Sequence, residues 1–211
     1  AAGEIEGTWH WNRYPGARCD VDSIFYSYQF DEILQQEWVW TERYASQPEI
    51  LRYLNFVADR FDLRKHIQLN TRIRSARYRE FEKKWYLESE EGNIISATFC
   101  IMATGCLSAS NSPNFAGSCN FKGPIYHTAH WPKDPVNFSG LRVGIIGTGS
   151  SAIQAIPEIA KQSKQLTVFQ RTPNYVIPAQ NRPFEVDELK TIKANYSSLR
   201  QEAKKTFGQN E

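Results

Sequence analysis

Between Ile146 and Ile153 the chain reads Gly147-Thr148-Gly149-Ser150-Ser151-Ala152. Two glycines separated by one residue, with a small residue three positions further on, are suited to holding a pyrophosphate. Gly147 permits a tight turn, Gly149 lets the backbone approach the anion, and Ala152 lets a helix pack closely on a strand. A helix starting near Ser150 and Ser151 would aim its free N–H groups at the negative charge. Where an acid commonly receives the ribose 2′-hydroxyl of NAD, the chain carries Phe169-Gln170-Arg171-Thr172-Pro173. No acid is present there. The planar donor fork of Arg171, beside Thr172, suits a 2′-phosphate instead, so NADPH (or NADP+) is expected over NADH.

Other reactive residues are sparse. Cys19, Cys100, Cys106 and Cys119 form no C-x-x-C pair and no metal-ligand spacing, so reduced thiols and no metal are expected. His127 has no evident Ser or Cys nucleophile partner, and a lone histidine is more often structural than catalytic. With 25 basic and 23 acidic residues the net charge is +2. That balance shows no nucleic-acid or membrane footprint. No apolar run approaches the roughly 18–20 residues a membrane helix needs, and no basic-then-apolar leader opens the chain. A soluble, cytoplasmic protein is expected; nothing in the sequence sets an oligomeric state.

The elements that must position these groups follow from periodicity. Residues 1–30 are aromatic and turn-rich, with a break at Pro15-Gly16. A helix is expected over 46–61, opened by a Ser46/Glu49 capping box, with Ile50, Leu51, Leu54, Val57 and Ala58 on one face. Strands are expected at 67–78, 84–88 and 94–103, the last two joined by a hairpin turn at Glu91-Gly92-Asn93. Residues 104–137, rich in Gly, Ser, Asn and Pro, read as a connection. A strand (141–146), the Gly turn, a helix (150–161) and a second strand (165–169) then make the start of a βαβ unit. A polar helix is expected over 187–205.

Inside the connection, residues 121–132 have the spacing Phe121-x-Gly123-x-x-x-His127-x-x-x-Trp131-Pro132 and lead into the Gly turn. Near the start stand Gly7-Thr8-Trp9, four residues, Tyr14-Pro15-Gly16, and then Asp20. In this order the two stretches resemble the signatures of Baeyer–Villiger monooxygenases, class B flavoproteins, and most of all the phenylacetone monooxygenase-like members. The likeness continues through Ser23, Tyr26 and Tyr28 and through residues 38–44.

The resemblance implies an α/β fold of two linked Rossmann-like dinucleotide-binding domains, for FAD and NADP, both incomplete, with a β-meander in the first. It divides the chain into a partial FAD-binding domain (1–107), a signature linker (108–136) and a partial NADP-binding domain (137–211). It implies FAD and NADPH as cofactors, with a small-molecule ketone and O2 as partners. One oxygen atom would enter beside the carbonyl through a C4a-peroxyflavin, giving an ester or lactone. By resemblance Thr8, Trp9, Asp20, Tyr26, Ile73, Thr104 and Gly105 bind FAD. Asp20 would orient an arginine that this stretch does not contain. Gly147, Thr148, Gly149, Ser150, Ser151, Arg171 and Thr172 would bind NADP. Phe121 and Trp131 would anchor the linker, Gly123 would serve as its hinge, and His127 would control its conformation.

Two positions depart from the family pattern: Glu6 replaces a small residue before Gly7, and Cys106 replaces a polar amide after Gly105. Only one Gly-x-Gly turn is present, so the chain reads as an internal fragment, inactive alone. Two other readings stay open: a flavin monooxygenase that oxidises nitrogen or sulfur, against which Trp131-Pro132 argues, and a non-catalytic NADP-binding fragment.

Overall fold

The computed structural model describes residues 3–5, 7–105, 107 and 109–205, and six α-helices and five strands form among them. In chain order they are α1 (Thr8–Trp11), α2 (Glu32–Glu37), α3 (Gln47–Arg60), β1 (Ile73–Arg79), β2 (Lys84–Ser89), β3 (Ile94–Ala97), β4 (Arg142–Ile146), α4 (Ser150–Ala160), β5 (Gln165–Phe169), α5 (Val186–Ala194) and α6 (Tyr196–Ala203). The strands make an antiparallel sheet, β1-β2-β3, and a separate parallel pair, β4-β5. The α/β class is as expected, and so is the meander.

Ile50, Tyr53 and Val57 fall three and four residues apart, so α3 buries one stripe. That stripe meets Leu34, Trp40 and Ile24, and Tyr196 of α6 closes the cluster from the far end of the chain. Trp40 is only 2% exposed, and its ring centroid lies 4.9 Å from that of Tyr53. Burying each such side chain contributes about 1.5–3 kcal/mol. The segment ahead of α5 folds back beside residues 41–44. Arg43 N–H donates to the Arg182 carbonyl at 3.0 Å, Phe184 N–H to the Thr41 carbonyl at 3.1 Å, and the Asn181 amide to Glu42 at 2.6 Å. A second core gathers Tyr14, Ala17, Phe138, Ala155 and Ile159, with Trp131, Val143 and Leu166 packed against it.

Several local expectations need correction. The capping box at Ser46 and Glu49 does not form: Ser46 sits at the N-cap, but its side chain bonds no helix N–H. Glu49, 1% exposed, turns to Thr41, whose N–H and hydroxyl donate to it at 2.7 and 2.8 Å. A carboxylate this deep needs two donors to offset its desolvation, and the cap supplies fewer. A capping box occurs instead at Glu185 and Glu188, opening α5. β1 starts at Ile73 rather than residue 67, because Arg64–His66 form a 3-10 turn and Asn70 takes φ +53°. β3 ends at Ala97, short of residue 103.

The sequence also does not announce α2, which is held by Asp31 accepting from Leu34 N–H at 2.6 Å. The polar stretch over 187–205 is two helices. Asn195 leaves helical geometry at φ −118°, ψ 15°, and its side chain donates back to the Thr191 carbonyl at 2.8 Å. No helix among the described residues is long and apolar enough to cross a membrane.

Candidate functional site

Because β4 and β5 run parallel, with Ile146 opposite Phe169, the turns that follow them emerge at the same edge. Gly147 takes φ +102°, a conformation L side chains rarely adopt, and its N–H donates to the Phe169 carbonyl at 2.8 Å. A Cβ on Gly147 or Gly149 would meet nothing within 4 Å, so the space over the turn is open. No side chain caps the first turn of α4, which leaves its N–H groups to an anion. This arrangement fits a dinucleotide pyrophosphate.

Two residues absent from the sequence expectations hold the turn. Gln170 donates to the Thr148 hydroxyl at 2.9 Å and Asn174 donates to the Thr148 carbonyl at 3.0 Å. Ser150 is exposed and Ser151 half-buried, and Arg171 and Thr172 stand exposed just past β5. The structure therefore brings the whole expected NADP set to one edge.

The expected FAD set is more scattered. Trp9, on α1, donates its indole N–H to the Tyr26 hydroxyl at 2.9 Å, with the rings edge to face at 5.9 Å. Burial pushes the Tyr26 hydroxyl up; the Trp9 bond opposes this, and the charges at Cys19, Tyr28 and Asp20 add to it. Burial likewise raises the Cys19 thiol, with the neighbouring Asp20 charge adding to the effect and hydrogen bonds from Val21 and Asp20 N–H opposing it. Trp9, Tyr26 and Asp20 thus share one face, on which Asp20 is exposed, and Thr8 lies exposed next to Trp9. Ile73, the first residue of β1, belongs to a separate element, as do Thr104 and Gly105 beyond β3. Gly105 takes φ +73° with open space where a Cβ would sit. Glu6 and Cys106 lie outside the described residues.

On the linker, His127 caps a 3-10 turn over Thr128–His130, its Nδ1 accepting from Ala129 N–H at 3.2 Å. That bond makes Nδ1 the acceptor and leaves the ring proton on Nε2. Trp131 packs against Tyr126 and Phe138 at centroid distances of 5.4 and 6.2 Å, which seats it on the second core. Phe121 is exposed and folds over Gly123, where a Cβ would come within 2.9 Å of its ring. Steric room, rather than a positive φ, sets the need for glycine there.

A contact that no sequence signal foretells joins the two halves. The Tyr14 hydroxyl donates to Gln154 Oε1 at 2.8 Å, Arg18 N–H donates to the same oxygen at 3.3 Å, and Gln154 Nε2 donates to the Arg18 carbonyl at 3.0 Å. A cleft of about 330 Å³ opens beside it, lined by Arg13, Arg18, Gln47 and Glu158 among others.

Comparison with known proteins agrees with this geometry. The profile of the pyridine nucleotide-disulphide oxidoreductases matches residues 25–206. The chain belongs to that family. It is 44% identical over 206 residues to acetone monooxygenase (methyl acetate-forming) of Gordonia sp., covering 98% of this chain and 39% of that protein. Among solved structures, an oxidised steroid monooxygenase bound to NADP superposes with a TM-score of 0.91 at 54% identity, over 95% of this chain and 38% of that one. OTEMO in complex with FAD and NADP superposes at 0.91 and 42% identity, over 98% of this chain and 40% of that one. The chain therefore spans about two-fifths of the length of the relatives it matches.

Proposed function

We propose that this chain is the central part of an FAD- and NADPH-dependent Baeyer–Villiger monooxygenase. The whole protein would convert a ketone, O2, NADPH and a proton to an ester or lactone, water and NADP+. The observation that carries the reading is the likeness to acetone monooxygenase over 98% of the chain, beside the Gly turn and the linker motif of the chain itself. Acetone and methyl acetate, the compounds named for that relative, differ by one oxygen beside the carbonyl.

Residues 1–107 form the FAD-facing part, 108–136 the linker and 137–211 the NADP-facing part, with α5 and α6 returning to pack on the first core. The Gly147–Ser151 turn holds the NADP pyrophosphate at the start of α4. Arg171 and Thr172 take the 2′-phosphate. Thr8, Trp9, Tyr26, Ile73, Thr104 and Gly105 contact FAD. Asp20 holds a catalytic arginine from elsewhere in the protein through a charge-assisted hydrogen bond. His127 sets the linker's shape through its bond to Ala129, with Trp131 as anchor and Phe121 stacked on the Gly123 hinge. When bound, the flavin and NADPH supply the electrons and the activation of O2; the residues here bind, orient and shield them. The site of action is the cytoplasm.

The intact protein tests this directly. It should be yellow as purified, and a ketone should raise its rate of NADPH oxidation. A colourless protein that binds NADP+ would leave only a nucleotide-binding role, and N- or S-oxides without any ester would move it to the heteroatom oxidisers.

A further inference from the structure

Gln154 lies on α4, one helical turn after the helix's first residue, Ser150. Its Oε1 accepts from the Tyr14 hydroxyl and from Arg18 N–H, and its Nε2 donates to the Arg18 carbonyl. Three of the four hydrogen bonds an amide side chain can make are thus spent on one turn. Gly16, at the tip of that turn, is pressed against the same residue: a Cβ there would stand 2.3 Å from the Gln154 carbonyl oxygen.

From this turn the connection continues. Gln47 N–H donates to the Ala17 carbonyl at 2.8 Å, and the Gln47 side chain donates to the Trp9 carbonyl at 2.6 Å. The Trp9 indole then donates to Tyr26. Asp20 follows Arg18 by two residues. A continuous series of hydrogen bonds therefore runs from the helix that begins at the nucleotide turn to the Trp9–Asp20–Tyr26 face.

The apolar contacts of Tyr14 and Ala17 with Ala155 and Ile159 hold the two halves together. Such contacts tolerate sliding, whereas directional bonds fix a register. A packed helix also passes on a displacement at its N-terminus as a unit. We propose that Gln154 is a positioning residue that transmits occupancy of the Gly147–Ala152 site, through Tyr14 and Arg18, to the Trp9–Asp20–Tyr26 face, so that the two sites are energetically coupled. This rests on the nucleotide reading of the Gly turn.

The test uses the intact protein labelled with 5-fluorotryptophan, the Trp9 resonance being assigned from a Trp9→Phe variant, and NADP+ binding measured in parallel by calorimetry. In the wild type, NADP+ is expected to shift the Trp9 resonance. In Gln154→Leu, which keeps much of the side-chain bulk without its hydrogen bonds, NADP+ should still bind while the Trp9 shift is lost. Tyr14→Phe, which removes one hydroxyl, should reduce the shift, and it decides the matter by the same criterion if Gln154→Leu does not fold. An equal shift in wild type and variant, or NADP+ binding to the wild type with Trp9 unmoved, overturns the coupling alone. Absence of NADP+ binding to the wild type overturns the nucleotide reading and the coupling with it.

Discussion

Around α3, Leu34, Trp40, Ile50 and Tyr53 are enclosed on all sides, whereas at the edge formed by β4, β5 and the loop after them Ile146, Phe169, Tyr175 and Ile177 stand in solvent. Both regions are rich in large apolar residues. The enclosed one gains its stability within the chain, from packed aromatic rings and from a return of α6 across more than a hundred residues of sequence. The open one is held by a parallel pair of strands and by the Tyr14–Gln154 clamp, and it carries the whole expected NADP set. Asp20, Thr8, Ile73, Thr104 and Gly105 lie on exposed surface too. The residues that keep the chain folded and those assigned to cofactors are therefore largely separate populations, and substitutions should sort them by effect.

The sharpest break of the comparison is Trp40→Ala. It should cost about 3–5 kcal/mol through the cavity it leaves, read from urea denaturation. Phe81→Ala, on the fully exposed tip of the β1–β2 hairpin, should stay within about 0.5 kcal/mol. Equal effects would mean the enclosed region is not the stabilising one.

Gly16→Ala comes next. Its new Cβ meets the Gln154 carbonyl oxygen at φ +79°, so strain and overpacking should together cost about 3 kcal/mol in thermal denaturation. Gly92→Ala, at φ +84° with open space around it, should cost about 1 kcal/mol from backbone strain alone. The difference between the two reports the clamp.

The enclosed region also has an alkaline signature. Burial pushes the Tyr53 hydroxyl up to about 12, against the opposing bond from Tyr28 N–H. An unfolded tyrosine titrates near 10, so the folded state holds its proton longer, and this contribution is whole below about pH 10. It is lost as pH rises from about 10 to about 12, a fall of about 3 kcal/mol. Urea denaturation across that window should show the fall, and Tyr53→Phe should make it shallower, the remainder coming from the Tyr196 and Tyr26 hydroxyls that burial also raises.

The smallest change expected is at the open edge. Arg171→Ala should leave stability unaltered and weaken NADP+ by about tenfold, the loss of one charge-assisted contact, while barely affecting NAD+. Calorimetry with both nucleotides checks it, and equal weakening of the two would remove Arg171 from the 2′-phosphate.

Local signals in the sequence served well where they were strong. The apolar period of α3, the Gly92 hairpin and the strand–glycine–helix order at residues 141–161 each depend on neighbours within a few residues. Glu49 shows where such signals mislead. Its spacing from Ser46 reads as a cap, but its burial ties it to Thr41. Asn195 divides a run of good helix formers by bonding back to the Thr191 carbonyl, a competition that composition does not show. The clamp between Tyr14 and Gln154 spans 140 residues. No periodicity reports such a pairing. The residues expected to hold NADP are contiguous around two turns, so local spacing suggests them, whereas those expected to hold FAD come from four separate stretches and rest on family likeness alone.

The central claim, oxygen insertion beside a ketone carbonyl, is tested most directly by giving the intact protein NADPH, a cyclic ketone and heavy-isotope O2, and weighing the product. The account predicts a lactone carrying one heavy oxygen atom, formed only when NADPH is present. NADPH oxidation that yields hydrogen peroxide and neither ester nor lactone across a panel of linear and cyclic ketones would contradict it.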